Sequence, residues 1–264
     1  MRLQVFLSHN AGVSRRKAFD LVKAGAVKVN GRVVTEPGLP VEPEKDAVAL
    51  EGKRVFFRSF DYLLLNKPKG YTTTRTDRYA VKTVFDLIPR PFHHLVPAGR
   101  LDRDTEGLLL FTNDGDVTLA LTHPRGLVDK IYFFRVVGAV DEKARRSLER
   151  GIVIDGRRTA PAKVKNLKVR RQISEGYITV HEGRKRQIRL MFGKLGLRVD
   201  YLQRVAQGPL ALGTLKPGAW RLLNKIEKEQ LSALTGGQRT RGASSEDGEA
   251  PAGPAAGRTR KTRG

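Results

Sequence analysis

The sequence predicts an α+β fold, with a larger body built on a largely antiparallel sheet and a small α/β module ahead of it. Three observations predict it. Strand-like segments outnumber segments with helical spacing, and most connections between them are of hairpin length. The apolar run Gly107-Leu108-Leu109-Leu110-Phe111 is short and closed by the turn signal Thr112-Asn113-Asp114-Gly115, which suits a strand buried on both faces better than a helix.

Residues 1–58 read as the separate module. Ser14 caps a helix whose apolar positions Ala18, Leu21 and Val22 share one face, and Gly25 ends it. Two β-type runs follow around Asn30-Gly31, the strongest local hairpin signal. The cations Arg15, Arg16 and Lys17 fall in the helix's first turn, where the helix dipole opposes them; an external phosphate would compensate, and a solvated helix face is the plain alternative. The body, 59–235, opens with a strand at Tyr62–Leu65 that runs into the breaker-rich loop Asn66-Lys67-Pro68-Lys69-Gly70. A strand is expected at Ile131–Val140, then a helix capped by Asp141 and stopped by Gly151, then hairpins around Asp155-Gly156 and between Arg171 and Tyr177. Ile188, Met191, Phe192 and Leu195 mark the buried face of a helix ended by Gly196, and Asn224 with Glu227 forms a capping box for the last helix. Residues 236–264 are mostly Gly, Ala, Ser, Pro and Arg, with nothing to build a core, and read as a disordered basic tail.

Composition narrows the partners. A net charge of +23 on 264 residues makes a polyanion the expected one, because Lys and Arg gain affinity by displacing counterions condensed on phosphates. No apolar stretch approaches the roughly 20 residues that span a bilayer, and the first residues lack the pattern of a secretory signal. The absence of cysteine excludes disulfides and thiolate metal sites, and the scattered histidines lack metal-ligand spacing, so no metal is expected.

One carboxylate stands out. Asp102 lies on a loop between Arg100 and Arg103, directly ahead of the buried strand. Taken alone it reads as a solvated ion pair. The whole string GRLDRDTEGLLLFTNDG, Gly99 to Gly115, however, closely resembles the signature loop of RNA pseudouridine synthases of the RsuA/RluB type. The segment VSRRKAFDLVKAGAVKVNGRVV resembles the ribosomal-protein-S-four-like RNA-binding domain that commonly precedes that catalytic domain, which favours RNA as the partner of Arg15, Arg16 and Lys17. The resemblance implies a mixed sheet in the body, a loop at Asn66–Gly70 that supports the active site, and no cofactor, since uridine isomerisation needs neither redox change nor an external group.

By the same resemblance Asp102 is the catalytic carboxylate, acting on the sugar carbon, on the base, or in forming a glycal; the residues leave these open. Arg100 matches the position whose side chain fills the space of the flipped nucleotide, with phosphate anchoring the equal alternative. Tyr132, otherwise a packing residue on a strand, resembles the active-site tyrosine that stacks on uracil and exchanges a proton with carbon 5. In HEGRKRQIRLMFGKLGL, His181 to Leu197, Arg189 is implied to pair with the catalytic Asp, while Arg184 and Arg186 face RNA phosphates.

The function expected is therefore site-specific conversion of uridine to pseudouridine by a cytoplasmic enzyme acting on naked rRNA or assembly intermediates, without an obligate protein partner or a membrane. The stretch EGRKRQIRLMF and Leu215-Lys216-Pro217-Gly218 near Trp220 resemble the branch acting on 23S rRNA near the peptidyl-transferase centre. Rival readings are a 16S rRNA or tRNA synthase, a noncatalytic ribosome-assembly factor using the same basic surfaces, and a metal-dependent hydrolase built on Asp114 and Asp116.

Overall fold

A computed structural model describes residues 1–75 and 82–236 of the chain. The tail expected at 236–264 therefore lies, beyond Gly236, outside the described residues.

The N-terminal module comprises α1 (Leu3–Asn10), α2 (Arg15–Lys23), β1 (Val27–Val29), β2 (Arg32–Val34), β3 (Val48–Leu50) and β4 (Lys53–Val55), with its sheet in the order β2-β1-β3-β4. Ser14 Oγ accepts from Lys17 N at 3.1 Å, as an N-cap should. Asn30 and Gly31 both take positive φ, 51° and 82°, which gives the hairpin a turn whose twist suits its strands. The first helix was not foreseen. Its Leu3, Phe6 and Leu7 stand at i, i+3 and i+4 and pack against Ala18, Val22, Val27 and Val48.

The body contains β5 (Tyr62–Lys67), β6 (Val96–Pro97), β7 (Glu106–Thr112), α3 (Gly115–Thr122), β8 (Lys130–Val137), α4 (Glu142–Arg150) and the short hairpin β9 (Val153–Ile154) and β10 (Arg157–Arg158). It continues with β11 (Lys163–Arg170), β12 (Ile173–Val180), α5 (Gln187–Gly193), β13 (Arg198–Gln207), β14 (Leu210–Ala211), β15 (Trp220–Leu222) and α6 (Lys225–Leu234). The main sheet runs β11-β12-β8-β13-β7-β5-β15, with β14 on β13 and β6 on β7. Every strand pairing in it is antiparallel except β7 with β13, which is parallel and only two residue pairs long, Glu106 with Gln203 and Gly107 with Arg204.

The class expected from the sequence is the class observed, α+β on a mixed sheet. Alternation along β5 and β7 buries both faces: Leu64, Leu108 and Leu110 pack with Val117, Leu121 and Leu231 from the helices, while Leu63, Leu65, Leu109 and Phe111 pack with Leu101 and Phe85. The other half of the sheet has its own core, in which Phe134, Ile178, Val180 and Leu202 meet Leu148, Ile188, Met191 and Phe192.

Three local expectations change. Thr112–Gly115 is not a plain turn, because Asp114 Oδ1 accepts from Asp116 N and Val117 N and so caps α3. The helix after Arg186 ends at Gly193, three residues before Gly196, and the strand from Lys130 ends at Val137, ahead of Gly138 at φ 114°. Among the described residues no helix is long and apolar enough to cross a membrane.

Candidate active site

The loop carrying Asp102 is held from below by the end of β5. Lys67 is fully buried, and its Nζ donates to the carbonyls of Thr105 at 2.8 Å, Asp102 at 3.0 Å and Pro68 at 3.2 Å. Gly70 N donates to Arg103 O at 2.8 Å, and Arg103 Nε returns a bond to Gly70 O at 3.3 Å. On the other flank Thr73 Oγ1 donates to Leu101 O at 2.9 Å. Asn66–Gly70 and Thr73 thus fix the backbone on both sides of Asp102, which leaves its half-buried side chain on a rigid support. Burial pushes the Lys67 ammonium down to about 8 against the attraction of Glu106, Asp104 and Asp102, with Arg204 adding to the fall.

Tyr132 comes from the opposite half of the sheet. It is half-buried on β8 and packs against both the β8-side core and the cluster that contains Leu101, the neighbour of Asp102. The fold therefore brings the Asp102 loop and Tyr132 to the junction of the two half-sheets.

Arg189 arrives at the same junction but pairs differently from expectation. Its Nη2 donates to Asp104 O at 2.8 Å, its Nη1 to Val199 O at 3.3 Å, and its Nε stands 3.2 Å from Asp104 Oδ2. Arg186 grips the same carboxylate in a fork, at 3.2 Å to each oxygen. Burial raises the Asp104 carboxyl, yet the Arg186 bonds and the Arg189 charge outweigh it and hold the group below the usual carboxylate range. The direct pair between Arg189 and Asp102 is accordingly corrected. The turn closed by Thr105 N on Asp102 O, 3.1 Å, separates the two carboxylates, and Asp104 is the one that reaches α5. Asp102 acts on Arg189 through space.

The expected RNA-facing residues divide. Arg100 is exposed beside the loop, and Arg186 is exposed at the start of α5 in left-handed backbone, φ 52°. Arg186, Arg189 and Arg198 rim a groove of about 450 Å³ floored by Leu197 and Val199. Arg184 is diverted: its guanidinium donates to Arg157 O and Ile154 O at 3.0 and 2.7 Å and so fastens the β9–β10 hairpin instead of facing outward. In the N-terminal module Arg15 and Arg16 line a shallow cleft with Gln4, Phe19 and Asp20, and Lys17 is exposed on the same helix. Asp114 is nearly fully buried on its capping bonds and accepts from Tyr62 Oη at 2.8 Å, so it is not a free partner for Asp116 in a hydrolytic pair.

Residues 61–194 match the family model for RNA pseudouridylate synthase. The chain belongs to this family. Residues 1–48 match the S4 domain. Among its relatives, the synthase is 42% identical over 235 residues to the Bacillus subtilis (strain 168) protein named ribosomal large subunit pseudouridine synthase B, covering 88% of this chain and 96% of that one. It is 39% identical over 237 residues to an uncharacterized RNA pseudouridine synthase of Aquifex aeolicus (strain VF5), covering 89% and 95%. A crystal structure described as a pseudouridylate synthase superposes with a TM-score of 0.61 at 31% identity, over 88% of this chain and 99% of that one.

Two residues of the site region escaped sequence reasoning. Asp104 looked like one more loop acid. Arg204 is almost fully buried on β13, and the signal that would have found it is its place two residues after buried Leu202, on the same face of a strand.

Proposed function

We propose that this synthase isomerises a uridine of 23S rRNA near the peptidyl-transferase centre, with Asp102 as the acting carboxylate, Tyr132 as the ring beside the flipped base and Arg189 as the cation that tunes the site. The observation that carries the target is the 42% identity, across 88% of the chain, to a protein named for the large ribosomal subunit. In this reading residues 1–58 and the exposed Arg100 and Arg186 hold RNA, residues 59–235 carry the chemistry, and the protein works in the cytoplasm on naked rRNA or assembly intermediates.

The chemistry follows from what isomerisation requires. The bond between carbon 1′ and N1 breaks with its electron pair on the base, and the electron deficiency at carbon 1′ is met by the Asp102 carboxylate or by loss of the 2′ proton to it. The base turns and carbon 5 bonds to carbon 1′ as the Asp102–carbon 1′ bond breaks, or as Asp102 returns the 2′ proton; the carbon 5 proton leaves, and N1 gains one. Atoms and electrons balance within the nucleotide. A carboxylate carried on backbone fixed by Lys67 at Asp102 O and by Thr73 at Leu101 O supports the first step, and the wall from Tyr132 supports stacking of the turned base.

The test is carbodiimide mapping of pseudouridine by primer extension on naked large- and small-subunit rRNA treated with wild-type or Asp102→Asn protein. A new stop on large-subunit rRNA with wild type only is expected. A stop on small-subunit rRNA alone would move the target, and turnover by Asp102→Asn would remove Asp102 from its role.

A further inference from the structure

Among the described residues three cations lie buried in the body: Lys67 at 0%, Arg204 at 2% and Lys130 at 7% exposure. Each is anchored on carbonyl oxygens. Lys67 has those of Thr105, Asp102 and Pro68, Lys130 those of Val128 and His181, and Arg204 Nε donates to Leu108 O at 2.8 Å. Among the described residues none of the three has a carboxylate within ion-pair distance. Charges buried this way ordinarily come paired.

Two of the three share one row of the sheet. Strand register sets Lys67 beside Gly107, Gly107 beside Arg204, and Arg204 beside Tyr132, one row across β5, β7, β13 and β8. At this row β7 and β13 part after their two-residue pairing, so Leu108 O takes its hydrogen bond from the Arg204 side chain. Serving that carbonyl needs one N–H. The guanidinium brings a full charge as well, and its Nη2 is buried without any hydrogen-bond partner. A buried donor left over is costly, and such local disagreement with packing rules concentrates at functional sites.

We propose that Arg204 is the fixed countercharge for the uracil anion formed when the bond between carbon 1′ and N1 breaks, a positioning residue that acts from the sheet beside Tyr132 without touching RNA. The inference rests on the isomerisation chemistry proposed for Asp102. Before that bond breaks the base is neutral and Arg204 has no carboxylate within ion-pair distance among the described residues; as it breaks, the departing electron pair places a negative charge on the base, so the interaction strengthens in the transition state. Lys67 and Lys130 reinforce the field from either side.

The test varies charge and leaving group together. Arg204→Gln keeps an N–H for Leu108 O and removes the charge, while Arg204→Lys keeps the charge. Single-turnover transfer of the base from its N1 link to a carbon 5 link is measured by nucleoside chromatography with mass spectrometry on large-subunit rRNA transcripts made with uridine or with 5-fluorouridine, whose fluorine itself stabilises the base anion and, as carbon 5 then has no proton to lose, stays on the C-linked isomer. Arg204→Gln is expected to lose about 30-fold on uridine and about 3-fold on 5-fluorouridine with RNA affinity unchanged, and Arg204→Lys to lose under about 10-fold on uridine. Equal losses on the two transcripts, or no loss on uridine, would overturn the proposal. Should Arg204→Gln fail to fold, the same ratio is read from Arg204→Met, which likewise removes the charge. Asp102→Asn run in parallel separates the two readings: its turnover on either transcript would sink the Asp102 chemistry, whatever the Arg204 ratio.

Discussion

Replacing Lys67 with Met separates the support of the Asp102 loop from the stability of the fold. The ammonium is fully buried and its pKa falls from 10.5 to about 8. At about 1.4 kcal/mol per pH unit, this displacement means that folding bears roughly 3 kcal/mol to keep Lys67 charged at neutral pH. Met removes that burden but leaves Thr105 O and Pro68 O without their donor, whereas Asp102 O keeps Thr105 N. Two orphaned carbonyls cost about 1–3 kcal/mol each, so the net loss of stability lies between about −1 and 3 kcal/mol. Activity should suffer more, because a displacement of Asp102 by about 1 Å costs on the order of 100-fold in rate. The pH dependence has a definite sign. With the folded-state pKa below the unfolded one, the unfolded chain holds more protons between about pH 8 and 10.5, so wild-type stability climbs relative to Lys67→Met across that window, and its deficit is fully present below it. Urea unfolding of both proteins at pH 7, 9 and 10, with single-turnover pseudouridine formation at pH 7, reads all of this. A wild-type rate in Lys67→Met, or a stability difference flat in pH, would refute the reasoning.

Tyr132→Phe should lower the single-turnover rate about 10-fold or more while thermal unfolding stays within a few degrees of wild type; parallel losses would make Tyr132 a packing residue only. Asp104→Asn should free Arg186 and take the carboxylate from Arg189, which keeps its bonds to the backbone carbonyls of residues 104 and 199, slowing catalysis while strengthening RNA binding in a salt-dependent manner, and filter binding across a salt series checks it. Gly107→Ala should destabilise the protein by about 3 kcal/mol or more, as φ is 105° and the new Cβ would fall 2.2 Å from Arg204 O, a backbone atom that cannot swing aside. A urea midpoint matching wild type would show that β7 and β13 do not meet as described.

Local chemistry was legible in the sequence and long-range pairing was not. The hairpin at Asn30-Gly31, the caps at Ser14, Asp141 and Asn224 and the two-sided burial of Leu108–Phe111 follow from rules acting within a few residues. The helix capped by Asp114 was missed because Thr-Asn-Asp-Gly serves equally as a turn and as a helix start, and the choice belongs to the apolar Val117 and Leu121 finding the β7 face. At the site, the resemblance named Asp102, Tyr132 and Arg189, and the fold gathers their backbones at one junction. Which carboxylate Arg189 meets depends on the turn at 102–105, a geometric detail that a motif does not encode. Arg184 and Arg186, alike in sequence, part ways because one lies against carbonyls of the β9–β10 hairpin and the other opens onto Asp104.

The parallel contact between β7 and β13 is only two residue pairs long, and it joins positions about a hundred residues apart in the chain, the kind of distant closure that forms slowly. The β8 half of the sheet has its own apolar core, the β7 half has one on each face, and the N-terminal module has another. On the proposed assignment, a chain with these parts formed but this seam open would hold RNA on its basic surfaces and yet lack a site, since Asp102 belongs to one side of the seam and Tyr132 with Arg189 to the other. Turnover would then report completed assembly, and binding would not.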